Sequence, residues 1–446
     1  MYRIRLYQGS TSVYLDGSDS IYKITGARVQ PVSGGGEVVE EQIEASMAGT
    51  VAECISALEA VGRMLSQAGL WKNPEIDPVY LGCQVSSGEA EQRARLRGGW
   101  AVSLGPGSGT RAKGSQAIRI NITRENWWEG SESQIALTNG NGAGVTTALP
   151  VWNCADGTSI APAIKHNYAE IAAGAVGGDL PAACRIEAVN NHNTLNLFDV
   201  WIGQNWTDPA NSVQLYEGEN GVTGTTDSGC SGGKYSAVTI DSGAETSLGS
   251  WTITAAALGA AKGQWVHGLL RFASEAWEAS TKFRLVLSWS SGTVWSSDSI
   301  QPGALRMAIW DLFQFRLPPI LMGLSSMDPL TLTLFGLQTS GVSKTINLDF
   351  LALVPADGWR YIRAIGAGLA KGYRVMDDGI TGKLYSDNGA GAARVGNLAG
   401  YGEAIQLMPA VKQRLYFWQH SDTACTATII MTLGVKVYYR PRRRVL

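Results

Sequence analysis

The chain has 446 residues, 45% of them hydrophobic and only 17% charged, with a formal net charge of −2. That is enough apolar matter for several cores, it lies below the roughly 25% charge of ordinary soluble domains, and it lacks the basic excess of a nucleic-acid binder. The 54 glycines, 15 tryptophans and 15 tyrosines, against 8 phenylalanines, predict a mainly β chain of short strands and many turns, with surfaces covered by neighbours in an assembly.

Residues 2–7 alternate and predict a strand, 16–19 (DGSD) a turn, 21–29 a second strand, 33–36 a glycine turn and 37–46 a charged-faced strand. The one well-specified helix follows at 51–68. Thr50 and Glu53 form a capping-box pattern, Val51, Cys54, Ile55, Leu58, Val61 and Leu65 fall at helical spacing, and Gly69 is a plausible stop. Strands are predicted at 79–85, near 100–104 and at 117–123, with the arginine-rich 89–99 as a connecting or exposed hairpin segment. In 117–123, Ile118, Ile120 and Ile122 point one way and Arg119, Asn121 and Thr123 the other. Residues 1–130 therefore predict a sheet-plus-one-helix domain.

Residues 131–180 are rich in turn signals (LTNGNGAG, CADG, GAVGGDLP) and predict a glycine-rich linker or a long packed arm. Between 181 and 355, ten short segments separated by Gly, Ser, Asp and Asn predict a jelly-roll or β-sandwich domain ending in the apolar INLDFLALVP. Residues 356–446 predict a β-rich C-terminal module. It either stands alone or completes the first domain, with the jelly roll inserted between the halves.

Catalytic signals are weak. GCSGG at 229–233 matches G-x-S-x-G and would make Ser231 a nucleophile, but both flanks are turn-rich and no helix follows. The four histidines and six cysteines show no metal spacing. Cys54 reads as a small buried thiol, and Cys154 and Cys184 could pair across a loop. No two carboxylates are singled out for glycoside hydrolysis. The expectation is no enzyme, no cofactor and no metal. The start MYRIRLYQGS reads as neither signal peptide nor membrane span, so synthesis in the cytoplasm without membrane insertion is expected.

Tryptophans of the sandwich region read first as core. Trp206 in QNWTDP and Trp295 in SGTVWSS, both near turns, are the candidates for stacking on a glycan. The basic run RPRRR at 440–444 is a solvated tail, an arm docking on an acidic neighbour, or a nucleic-acid contact.

Several stretches together resemble tail structural proteins of long-tailed bacteriophages, in particular the ring-forming distal-tail (baseplate hub) type. These are the T-x-x-E helix start, the closing stretch Trp127-Trp128-Glu129-Gly130 with the LTNGNG turn after it, LDFLALVPADGWR, and RLYFWQH followed by VKVYYRPRR. The resemblance implies a virion tail protein assembling into a ring, often hexameric. Its helix-bearing domain would surround a channel that passes DNA without sequence-specific binding. Its galectin-like or carbohydrate-module-like domain would face other tail proteins or host surface glycans. Subunit contacts are then expected at Trp127, Trp128, Tyr438, Tyr439, Arg440, Arg442, Arg443 and Arg444. A tail tube subunit and a glycan-binding host-attachment protein are the alternatives.

Overall fold

The computed structural model describes residues 3–16, 20–31, 36–73, 76–103, 115–139, 142–144, 147–153, 166–207, 214–220, 223–227, 229–253, 263–273, 280–290, 292–302, 309–318, 329–389, 397–420 and 432–444. It is mainly β, as the composition predicts, with one α-helix among those residues.

Alternation of apolar and polar residues builds the first sheet. Among the described residues it has nine strands, and its main path runs from the edge Thr11–Tyr14 through Arg3–Gln8, Val79–Gln84, Gln92–Ser103, Ser115–Glu125 and Val38–Ala48 to the edge Tyr22–Pro31. Ile118, Ile120 and Ile122 are buried under the helix Val51–Ala68. The helix starts as its sequence dictates. Thr50 Oγ1 accepts from the Glu53 N–H, and the Glu53 carboxylate accepts from the Thr50 N–H at 2.8 Å. Its buried stripe is narrower than its apolar stripe: Cys54, Val61, Met64 and Leu65 are covered, whereas Val51 and Ile55 are exposed. The stretch 89–99, expected as a connecting or exposed hairpin segment, is mostly strand: it lies in Gln92–Ser103, which pairs antiparallel with the preceding strand Val79–Gln84. Its charges are paired across the sheet, Arg97 with Glu125 at 2.7 Å and Arg93 with Glu129 at 3.3 Å, which is what admits so many arginines to a central strand.

The remaining four sheets stack face to face, and their strand order resolves them into two jelly rolls. Along the chain, the first roll uses Leu149–Trp152, Tyr168–Ile171, Ala182–Asn190, Asp199–Asn205, Gly358–Ile365, Arg374–Asp378, Gln413–His420 and Thr432–Tyr439. Numbered in that sequence, one sheet orders them 1-8-3-6 and the facing sheet 2-7-4-5, with short extra strands at the edges. The second roll uses Lys234–Ile240, Glu245–Ile253, Trp265–Phe272, Thr281–Trp289, Gly292–Ser296, Ile309–Arg316, Leu330–Gln338 and Lys344–Pro355. It has the same two orders. This second roll is inserted between the fourth and fifth strands of the first. We call them the nested roll and the host roll.

This arrangement corrects the expected boundaries. Residues 131–180 are not a linker: Ser133–Gln134, Leu137–Asn139, Gly142–Gly144, Leu149–Trp152 and Tyr168–Ile171 all join sheets of the host roll. The jelly roll expected over 181–355 spans two rolls, because Ala182–Asn190 and Asp199–Asn205 belong to the host. The C-terminal module completes the host roll, and among the described residues its strand Arg442–Arg443 pairs with the first sheet. Cys184 is a free, buried thiol, and Cys154 lies outside the described residues.

Each roll has its own core, one centred on residues such as Leu149, Ile186, Ile202 and Val437, the other on Trp251, Phe283, Phe313 and Leu348. A further apolar layer joins the two inner sheets: Trp201, Tyr416 and Trp418 of the host pack against Leu269, Ile309, Phe350, Ala352 and Val354 of the nested roll. Strands in these inner sheets are covered on both faces, so all seven residues of Asp199–Asn205 are buried. We call this layer the seam.

Candidate functional site

Three places carry the chemistry that the sequence singles out. The first is the clasp at the C-terminus. Arg442 pairs in register with Glu129, and Arg443 with Trp128. The Arg442 guanidinium lies 3.0 Å from the Glu129 carboxylate and 4.7 Å over the Trp127 ring. Arg440 donates to the Gly130 carbonyl at 3.0 Å, and the Gly130 N–H donates to Pro441 O at 2.9 Å. Tyr439 is buried and donates its hydroxyl hydrogen to Ala175 O at 3.2 Å, while Arg185 covers the Tyr438 ring at 4.4 Å. Trp128 is buried beneath Arg124. The basic run thus docks on an acidic neighbour, and that neighbour is its own N-terminal sheet. Of the eight residues expected to make subunit contacts, Trp127, Trp128, Tyr438, Tyr439, Arg440 and Arg442 are engaged within the chain. The Arg444 N–H donates to Asp179, and the side chains of Arg443 and Arg444 stand on an exposed stretch. The arm is satisfied locally, by the charge-assisted Arg442–Glu129 pair with the half-buried Trp127 ring beneath the guanidinium.

The second place is the N-terminal sheet. Ala101 packs toward the helix, so Trp100 and Val102 project from the opposite face, where they are exposed. Asn121 and Gln42 neighbour Trp100 across the strands, and an Arg119–Glu44 pair at 3.0 Å lies on the same face. Both edge strands, Thr11–Tyr14 and Tyr22–Pro31, pair on one side only among the described residues.

The third is the seam. Register places one aromatic row across four adjacent strands of the host roll: Tyr401 opposite Tyr361, Tyr361 opposite Trp201, and Trp201 opposite Trp418. A second row runs Trp359, Gly203, Tyr416, Tyr168. Gly203 has no side chain for a reason. A Cβ there would meet the Trp201 ring at 2.3 Å, so the indole fills the missing place. Trp201 Nε1 donates to Asp311 Oδ2 at 3.2 Å, and His267 Nδ1 lies 2.8 Å from the same oxygen. At the row's outer end, Tyr361 donates to the buried Asp199 carboxylate at 3.3 Å. Burial pushes the Asp199 carboxyl up to about 7, against the pull of Arg363 and of that hydrogen bond. Two cavities open where the rolls part. One, of about 390 Å³, is bordered by Asp199, Arg363, Tyr361, Tyr401 and Asp311. The other, of about 580 Å³, is bordered by Trp265, His267, Arg316 and Asp357. Trp359 borders both.

The glycan candidates fall elsewhere. Trp295 stacks on Phe315 at 4.3 Å between centroids and 16° between planes, so one ring face is occupied by the nested roll's core. Trp206 is half-buried and borders neither cavity; its backbone N–H donates to Asp357 at 2.6 Å. Sequence reasoning missed Trp359, Tyr361 and Tyr401. The spacing of Trp359 and Tyr361, two apart in a strand, signals a shared face, but the partner rows depend on register between distant strands.

Ser231 is buried in a tight turn, its hydroxyl donating to Glu217 at 2.8 Å and its N–H to Asp349 at 2.9 Å, and the chain leads from there into a strand. That is not a nucleophile elbow. No group of three or more His, Cys, Asp or Glu among the described residues is placed to hold a metal. No helix among them is long and apolar enough to cross a membrane.

No protein-family model and no curated protein matches the chain. Solved structures with loose similarity are virus-particle proteins. Chains of the phage p2 baseplate in its activated conformation, with Sr and with Ca, overlap 45% of this chain and 72% of theirs at a TM-score of 0.24, with 10% and 9% identity. The infectious bursal disease virus VP2 subviral particle overlaps 60% of this chain and 67% of its own at a TM-score of 0.20 and 10% identity. Overlaps at this level define neither a shared fold nor a role.

Proposed function

We propose that the chain is a non-enzymatic structural subunit of a virion, of the ring-forming distal-tail type, which surrounds a DNA channel and holds neighbouring tail proteins. The observation that carries this reading is the concentration of uncovered apolar side chains in the N-terminal unit, on its helix and on the opposite face of its sheet. Of the twelve exposed large apolar side chains among the described residues, seven (Tyr14, Val51, Ile55, Leu70, Val85, Trp100 and Val102) lie within residues 1–130, less than a third of the 446. Exposed apolar patches and open sheet edges are what a subunit presents to its copies. Each of the two rolls has its own core, and they meet each other across a further apolar layer. Arranged around an axis, the N-terminal sheets would bury Val51, Ile55 and Trp100, and the rolls would face outward. A tail tube subunit would use the same contacts but propagate them.

Light scattering tests this. The wild type is expected at a multiple of 47.5 kDa, and Ile55→Lys combined with Trp100→Lys at 47.5 kDa with an unchanged far-UV CD spectrum. A wild-type chain that stays at 47.5 kDa up to high micromolar concentration sinks the proposal.

A further inference from the structure

The aromatic row of the host roll begins as core and ends as surface. Trp418 is fully buried and Trp201 nearly so, Tyr361 is half-buried, and Tyr401 is 53% exposed. Tyr361 and Tyr401 lie 6.0 Å apart between centroids and are tilted by 31°, a continuous surface rather than two isolated rings. From the nested roll, Trp265 stands 60% exposed at the edge of the second cavity, and Trp359 joins the two. Cavities of about 300–1,000 Å³ with apolar walls and a few convergent polar groups are the usual form of a small-ligand site, and both fall in that range.

The lining specifies the ligand. An aromatic face offers a broad apolar surface to C–H groups. Beside it stand acceptors and donors together: Asp199 and Arg363 in one cavity, Asp357 and Arg316 in the other. Arg363 and Arg316 disfavour a cation. Asp311 and Asp357 disfavour an anion, and a wholly apolar ligand would leave unmet the Arg363 Nη1 donor and the Asp311 Oδ1 acceptor, which belong to residues bordering the first cavity and have no hydrogen-bond partner among the described residues. A ligand with flat C–H faces and hydroxyls that both donate and accept meets all of these demands. We propose that the seam between the rolls is a saccharide-binding site for an oligosaccharide of at least two rings, one on each side of Trp359, held without any bond being made or broken. The site lies wholly in the two rolls, so it stands or falls independently of ring assembly.

The test is a printed array of hexose, deoxyhexose and N-acetylhexosamine oligosaccharides, with the strongest binder then measured by calorimetry. Tyr401→Ala and Trp265→Ala remove exposed rings, so the fold should persist by far-UV CD. Because truncating aromatic anchors is what weakens binding most, each is expected to reduce affinity by about tenfold or more, while Val342→Ser, exposed and bordering neither cavity, stays within about twofold. An array with no bound saccharide overturns the proposal, and so does binding that both alanine variants retain. A loss of equal size in Val342→Ser would assign the effect to general damage and overturn it as well.

Discussion

Gly203→Ala puts the seam under direct strain. The added methyl would sit 2.3 Å from one carbon of the Trp201 ring and 2.5 Å from the next, where ordinary contact begins near 3.4 Å. The ring must therefore move by roughly an ångström, yet it is 2% exposed and hydrogen-bonded to Asp311. Overpacking of a filled core costs about 1–3 kcal/mol. Loss or distortion of the Trp201–Asp311 hydrogen bond adds about 1 kcal/mol. The expected destabilisation is about 2–4 kcal/mol, which at about 2–4 °C per kcal/mol for a unit of this size lowers the rolls' melting temperature by roughly 4–16 °C. Calorimetry measures the transition, and tryptophan fluorescence assigns it to the seam. A Gly203→Ala protein that melts within a degree of wild type would falsify the packing described here.

Other substitutions probe separate parts of the fold. Gly62 sits mid-helix with open space where a Cβ would go, so Gly62→Ala should stabilise the N-terminal unit by up to about 1 kcal/mol, read from denaturant midpoints. Thr50→Ala removes the cap and should cost about 1 kcal/mol on the same assay; no change would mean that the helix start is set by packing alone. Arg442→Ala leaves Glu129, whose side chain is 5% exposed, with Arg93 as its remaining ion pair, and should cost about 1.5–3 kcal/mol, the worth of a hydrogen bond to a charged group. Hydrogen exchange at 128–130 should rise with it, and unchanged protection there would remove the clasp from the account. Asp199 has a pH signature. Its carboxyl is displaced upward, from 3.8 to about 7, so the folded state holds its proton more tightly than the unfolded chain does. Its contribution to stability is intact below the unfolded value and is lost as pH rises from about 4 to about 7, by up to roughly 4 kcal/mol. Asp199→Asn should therefore gain on wild type over that window in denaturation at pH 4 and pH 7, and a difference that does not vary with pH counts against a protonated Asp199.

Much of the N-terminal unit is legible in the chain because its signals are local. Thr50 and Glu53 are three residues apart, and the alternation of Ile118, Ile120 and Ile122 with Arg119 and Asn121 specifies which face is buried. The same local signals misled at Val51 and Ile55, which have helical spacing but are exposed. The host roll was hidden for the opposite reason. Ser133–Gln134 and Leu137–Asn139 are too short and too turn-rich to stand out, and Ser133 finds its partner at Tyr439. A strand whose mate lies at the far end of the chain leaves no periodic trace. The seam follows the same logic. Trp201 reads by itself as a core tryptophan, and only register brings Trp201, Tyr361, Tyr401 and Trp418 into a row.

The central claim is assembly through the N-terminal sheet, and electron microscopy of the purified chain in negative stain tests it most directly. The account predicts closed rings with a central opening, the N-terminal sheets inside and the paired jelly rolls projecting outward. Fields of single particles at concentrations where the wild type should assemble would contradict it. Rings whose wall is formed by the rolls, with the N-terminal sheets outermost, would contradict it equally.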